Sequence, residues 1–99
     1  MNEVFMVHIT LPEVFTAEIY TLLPQQRLLI NDLMEKRVIL SYSLDMVRKN
    51  MWIFMEAKDQ KQLMGVLATF PILPHVGIRV HELAYHDAAP VSLPELNMN

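Results

Sequence analysis

The apolar residues of this chain switch between strand-like and helix-like spacing, and the order of those switches restricts the fold more than any single motif. Val4 to Thr10 is rich in β-branched and aromatic residues and closes at Leu11-Pro12, as a strand does. Residues 13–36 then take helical spacing. Leu22, Leu29, Ile30 and Leu33 fall on one side, and Gln25, Arg27, Asp32 and Glu35 on the other. Thr16 is placed to cap this helix. Pro24 removes a backbone donor and crowds the carbonyl of Tyr20, which predicts a kink or two abutting helices. Val38 to Leu44 and Met51 to Ala57 read as two strands joined by the polar connection Asp45 to Asn50, "DMVRKN". Asp59 can cap a second helix patterned by Leu63, Val66, Leu67 and Phe70, and Val76 to Tyr85 reads as the last strand.

Strand, helix, strand, strand, helix, strand is the split βαβ order. It predicts an α+β, ferredoxin-like βαββαβ domain with an antiparallel sheet and both helices on one face. A single domain is expected over 1–87 and a C-terminal arm or tail over 88–99, where two prolines and no periodicity are found. The second sheet face is left uncovered. With 53% hydrophobic residues in 99, too many for so small a domain to bury alone, the expected cover is a second copy. That gives a dimeric α/β barrel, as a homodimer or a higher ring.

Strand alternation divides the side chains into two sets. Phe5, Val7 and Ile9 oppose Val4, Met6 and His8; Leu40, Tyr42 and Leu44 oppose Ile39, Ser41 and Ser43. Met51, Ile53 and Met55 oppose Trp52, Phe54 and Glu56, and Ile78 and Val80 oppose Arg79 and His81. The cleaner apolar sets suit the helix-covered core. The mixed sets put His8, Ser41, Ser43, Trp52, Glu56, Arg79 and His81 toward the inter-subunit cavity, where a small organic molecule would bind, or near an edge toward solvent. His8, mid-strand among apolar neighbours, is the candidate proton carrier. The competing reading is a buried histidine satisfied by a hydroxyl or carbonyl, with Ser41 and Ser43 as candidate partners.

Other functions find less support. Net charge is −3, and the basic pairs Lys36-Arg37 and Arg48-Lys49 are isolated, which argues against a nucleic-acid partner. With no cysteine there is neither a disulfide nor thiolate chemistry. No basic leader and no membrane-length apolar run is visible, so a cytoplasmic protein without a membrane partner is expected. His75, His81 and His86 are spaced unlike common metal motifs, and the two glycines form no phosphate loop. Neither metal nor organic cofactor is expected. The eight methionines suit adaptable packing or an apolar ligand cavity.

The segment "FPILPHVGIRVHEL" resembles the C-terminal part of muconolactone isomerases, carried here by Pro71, Pro74, Ile78, Val80, Leu83 and His86. Phe5 to Thr10, followed by Leu11-Pro12, is similar to that family's first strand. The resemblance implies a ferredoxin-like fold assembled through dimers into larger rings. It also implies isomerisation of a small unsaturated lactone by a cofactor-independent proton shift. His8 stands where the family has a lysine, Gln25 and Gln26 where it has glutamates, and Arg27 where it has a lysine. Its glycine turn is Lys36-Arg37 here, and its Gly-His-Tyr turn is Val47-Arg48-Lys49. Glutamine cannot act as a base. Two functions follow: a cofactor-independent isomerase using His8, with Arg27 or Arg79 on a carboxylate, or a non-catalytic small-ligand-binding or structural oligomer.

Overall fold

The computed structural model describes residues 2–90. Its elements run β1 (Glu3–Thr10), α1 (Ala17–Glu35), β2 (Ile39–Leu44), β3 (Asn50–Ala57), α2 (Gln60–Leu67) and β4 (Gly77–Glu82). Both helices begin where the sequence supplies a cap. Thr16 Oγ1 accepts the Ile19 N–H at 3.3 Å, and Asp59 Oδ1 accepts the Gln62 N–H at 2.8 Å. Each cap satisfies a donor that the first helical turn leaves free. α1 ends in a Schellman closure: the Val38 N–H reaches the Leu33 carbonyl at 2.9 Å and the Arg37 N–H reaches Met34 at 3.1 Å. Arg37 takes the left-handed backbone this needs, with φ 60.

The sheet order is β2-β3-β1-β4, and every adjacent pair is antiparallel. This is the expected α+β, ferredoxin-like arrangement. Phe5, Val7 and Ile9 of β1 and Ile53 and Met55 of β3 are fully buried against Ile30 and Leu33 of α1 and Leu63 and Leu67 of α2. Burying each such side chain contributes about 1.5–3 kcal/mol, so this single layer between helices and sheet dominates the fold's stability.

The expected elements are corrected in four places. Of the kink or two abutting helices expected at Pro24, the second is not found, because α1 runs through Pro24 as one helix; and it starts at Ala17 rather than at 13. β4 is shorter than the run 76–85. Ile39 belongs to the core, not to the mixed set: it pairs with Met55, while Ser41 pairs with Phe54. Leu40 is the extra residue of a β-bulge between them, and a bulge reverses the in-out phase of what precedes it. Tyr42 and Leu44 keep the helix side, opposite Ile53 and Met51. Residues 91–99 of the expected arm lie outside the described residues.

Between α2 and β4 the two prolines act as stiffeners. Pro71 stands just before a single 3-10 turn at Leu73–His75 and Pro74 lies inside it, and this turn leads the chain into β4. This link is tied to α1 by one bond. Gln26 Oε1 accepts the Ile72 N–H at 3.2 Å, although Gln26 sits a long way off in sequence.

Candidate functional site

Two regions collect the chemically able side chains, and the sheet separates them. The first is a cleft of about 270 Å³ on the helix side, where α1 faces the ends of β2 and β3. That is near the lower end of small-ligand pockets, roughly 300 Å³. Its walls are apolar, with Phe15, Ile30, Leu44, Met51 and Ile72 among them. Its polar groups are Gln26, Arg27, Tyr42 and Arg48, and among the described residues it has no carboxylate and no histidine.

Gln26 is the informative one. It is 4% exposed, and its oxygen is committed to the Ile72 N–H. An N–H needs an acceptor, so the amide cannot turn over, and Nε2 is left as the free end. Nε2 has no hydrogen-bond partner among the described residues. A buried donor without a partner costs about 1–3 kcal/mol, and a ligand oxygen in the cleft would recover that. Arg48 reaches the same cleft from the β2–β3 hairpin through a left-handed backbone, φ 59.

The second region is the open face of the sheet. Register places Ser43 opposite Trp52, Trp52 opposite His8, and His8 opposite Arg79, one row across all four strands. Ser41, Phe54, Met6 and His81 form the next row. His8, Ser43, Trp52 and Arg79 are therefore brought together as the alternation predicts, with Ser41 one row away. Arg27 is not with them; it lines the cleft on the other side of the sheet. His86, beyond β4, folds back over this face, its ring 4.8 Å from that of Phe54.

The competing reading expected a hydroxyl or a carbonyl on His8; the partner is a carbonyl oxygen, that of the Asn50 side chain, and not Ser41 or Ser43. His8 Nε2 lies 2.8 Å from Asn50 Oδ1, and the His8 ring stacks on Trp52 with centroids 5.6 Å apart and planes 12° from parallel. Asn50 in turn donates from Nδ2 to Asp45 Oδ2 at 2.9 Å. The other oxygen of Asp45 accepts the backbone N–H groups of Lys49 at 2.9 Å and Asn50 at 3.1 Å. The side-chain bond from Asn50, helped by these backbone donors, holds the Asp45 carboxyl below its ordinary value. Asp45 and Asn50 were read from the sequence only as hairpin residues. The spacing of Asp45 and Asn50 at the two ends of the connection was the one available signal.

Fold and cleft together define a small α+β protein with a ferredoxin-like sheet and an arginine-bearing apolar pocket beneath its first helix. The particular fold is that of muconolactone isomerase. A crystal structure of that enzyme matches with a TM-score of 0.71 at 20% identity, over 90% of this chain and 96% of the other. That agrees with the resemblance carried by the double-proline segment. No family model matches the chain, and no curated protein matches it. Among the described residues, no helix is long and apolar enough to cross a membrane.

Proposed function

We propose that this muconolactone isomerase-like chain binds a small apolar carboxylate or lactone acid in the cleft under α1. The observation that carries this is the buried Nε2 of Gln26, a donor with no partner among the described residues. It would meet a ligand carbonyl, while Arg27 and Arg48 give the mouth a positive charge suited to a carboxylate. Among the described residues, none that lines the cleft can serve as a carboxylate or imidazole base. Binding without catalysis at this site is therefore the better-supported reading. Titration calorimetry with unsaturated lactone acids, and with their methyl esters as uncharged controls, tests it. Gln26→Glu keeps an acceptor for the Ile72 N–H but replaces the donor with a negative charge, so acid affinity should fall at least about tenfold. Heats that are absent throughout, or unchanged in Gln26→Glu and Arg48→Ala, would sink the reading.

A second reading, a cofactor-independent isomerase, is favoured by one observation: His8 is oriented by Asn50 on one side and Trp52 on another. His8 would take a proton beside a carbonyl and return it at another carbon, with Arg79 across the strand pair as the anion partner. The cavity would be closed by a second copy packed on the open face, in a homodimer or higher ring working in the cytoplasm. Turnover of a lactone panel followed against pH checks this; equal rates for wild type and His8→Ala would remove it.

A further inference from the structure

The bonds around His8 have a direction, and its source lies two residues away from the imidazole in the bonding chain. An ionised carboxylate only accepts, so Asp45 Oδ2 must face the amide nitrogen of Asn50, as it does at 2.9 Å. The amide of Asn50 then presents its oxygen to His8 at 2.8 Å. An oxygen acceptor requires Nε2 to carry a hydrogen. The neutral ring is left with its lone pair on Nδ1.

We propose that Asp45, acting through the side chain of Asn50, fixes the tautomer of His8 and so makes Nδ1 the nitrogen that exchanges protons on the open face. This rests on the second reading above, in which His8 moves a proton. Asp45 and Asn50 are positioning residues, because neither reaches the reacting atoms. In the forward step a carbon–hydrogen bond beside the ligand carbonyl breaks, its electron pair passes to the enolate, and the proton forms a bond to Nδ1. The imidazolium keeps its Nε2–H on Asn50 Oδ1 throughout. The return step gives the proton from Nδ1 to a different carbon and restores the same neutral tautomer. Around the ring, β3 supplies Asn50 and Trp52, β4 supplies Arg79 opposite His8, and the hairpin supplies Asp45.

Asp45→Asn gives an unusually sharp test, because the change is isosteric. Its oxygen would stay on the backbone N–H groups of Lys49 and Asn50, which need an acceptor. The position of Oδ2 would then hold an NH2 donor. Asn50 must turn over to offer it oxygen, and its own NH2 then faces His8, whose Nε2 has to accept. The tautomer reverses. Long-range nitrogen–proton spectra of the full chain, labelled with nitrogen-15 on histidine, read this directly at a pH about two units above the ordinary histidine value of about 6.5.

Wild type should show a protonated Nε2 and a bare Nδ1, and Asp45→Asn the opposite. Asn50→Ala cuts the chain of bonds and should give exchange-averaged nitrogens. An averaged ring or a protonated Nδ1 in the wild type overturns the proposal, and so does an unreversed ring in Asp45→Asn. These spectra need no ligand, so their outcome is separate from that of the turnover measurement that judges the second reading.

Discussion

Asp45 gathers three N–H groups of its own hairpin on two carboxylate oxygens, so its ionisation is part of what holds the turn. Its folded pKa is depressed, chiefly by the Asn50 side chain. The sign follows from linkage: the contribution is fully present well above the ordinary carboxylate value of about 3.9 and is lost as pH falls through the lower folded value. Asp45→Ala should therefore lower the melting temperature at neutral pH, with the gap to wild type closing as acid is added. A gap that stays constant between neutral and strongly acid pH would contradict it. At this scale the sequence was legible in type but not in partner. His8 stood out as an imidazole among apolar neighbours, yet its partner lies on β3, 42 residues away. Only strand register, which no local pattern states, brings Asn50 there. Gln26 was read for the carboxylate it lacks. The donor it provides became visible only once Ile72 claimed its oxygen.

The elements themselves were the most legible level, because caps and alternation are local. Thr16 and Asp59 do at the helix starts what their residue types suggest. The two left-handed arginines were legible only through the resemblance, which puts glycine turns at Lys36-Arg37 and Val47-Arg48-Lys49; by residue type alone arginine hides a backbone whose usual signature is glycine. Arg37 and Arg48, at φ 60 and 59, each carry a steric cost of about 1 kcal/mol that glycine would relieve. Arg37→Gly and Arg48→Gly should both raise stability against urea, by about 1 kcal/mol or less after the added flexibility of the unfolded chain. The two should part company in ligand binding. Arg48 lines the cleft and Arg37 does not, so Arg48→Gly alone should weaken an anionic ligand, by about tenfold or more. Equal affinities for the two variants would show that Arg48 is tolerated for some reason other than the cleft. Pro24 was legible as an interruption, but the helix absorbs it. A shallow hollow lined by Tyr20, Leu23, Pro24, Arg27 and Leu28 marks the spot.

For the molecule as a whole, the sheet is a partition. Arg27 or Arg79 was read as the partner of His8 on one ligand; Arg79 lies opposite His8, and Arg27 lies on the other side of the sheet. Alternation along a strand separates two faces, but it does not say on which side a helix residue will find its neighbours. The open face carries Val4, Met6, Trp52 and Phe54, all half-buried, alongside the chargeable groups His8, Glu56, Arg79 and His81. If a second copy covers this face, Phe54→Arg places two unpaired guanidinium groups in the joint and should give a monomer by light scattering. Wild type should then be a dimer or larger at the same concentration. A wild type that is monomeric at tens of micromolar would leave the open face without its expected cover.

Leu40 also bears on how chain length can change here. Removing one residue from the middle of a strand ordinarily turns half of it inside out. At this position the partners on β3 are already consecutive, Met55 for Ile39 and Phe54 for Ser41. Excising Leu40 should therefore leave Ile39 indoors and both serines outdoors. The shortened chain should fold, with near-wild-type amide protection along β3, whereas excising Tyr42 should not. A one-residue gap at this place is one the fold could accept in a single genetic step.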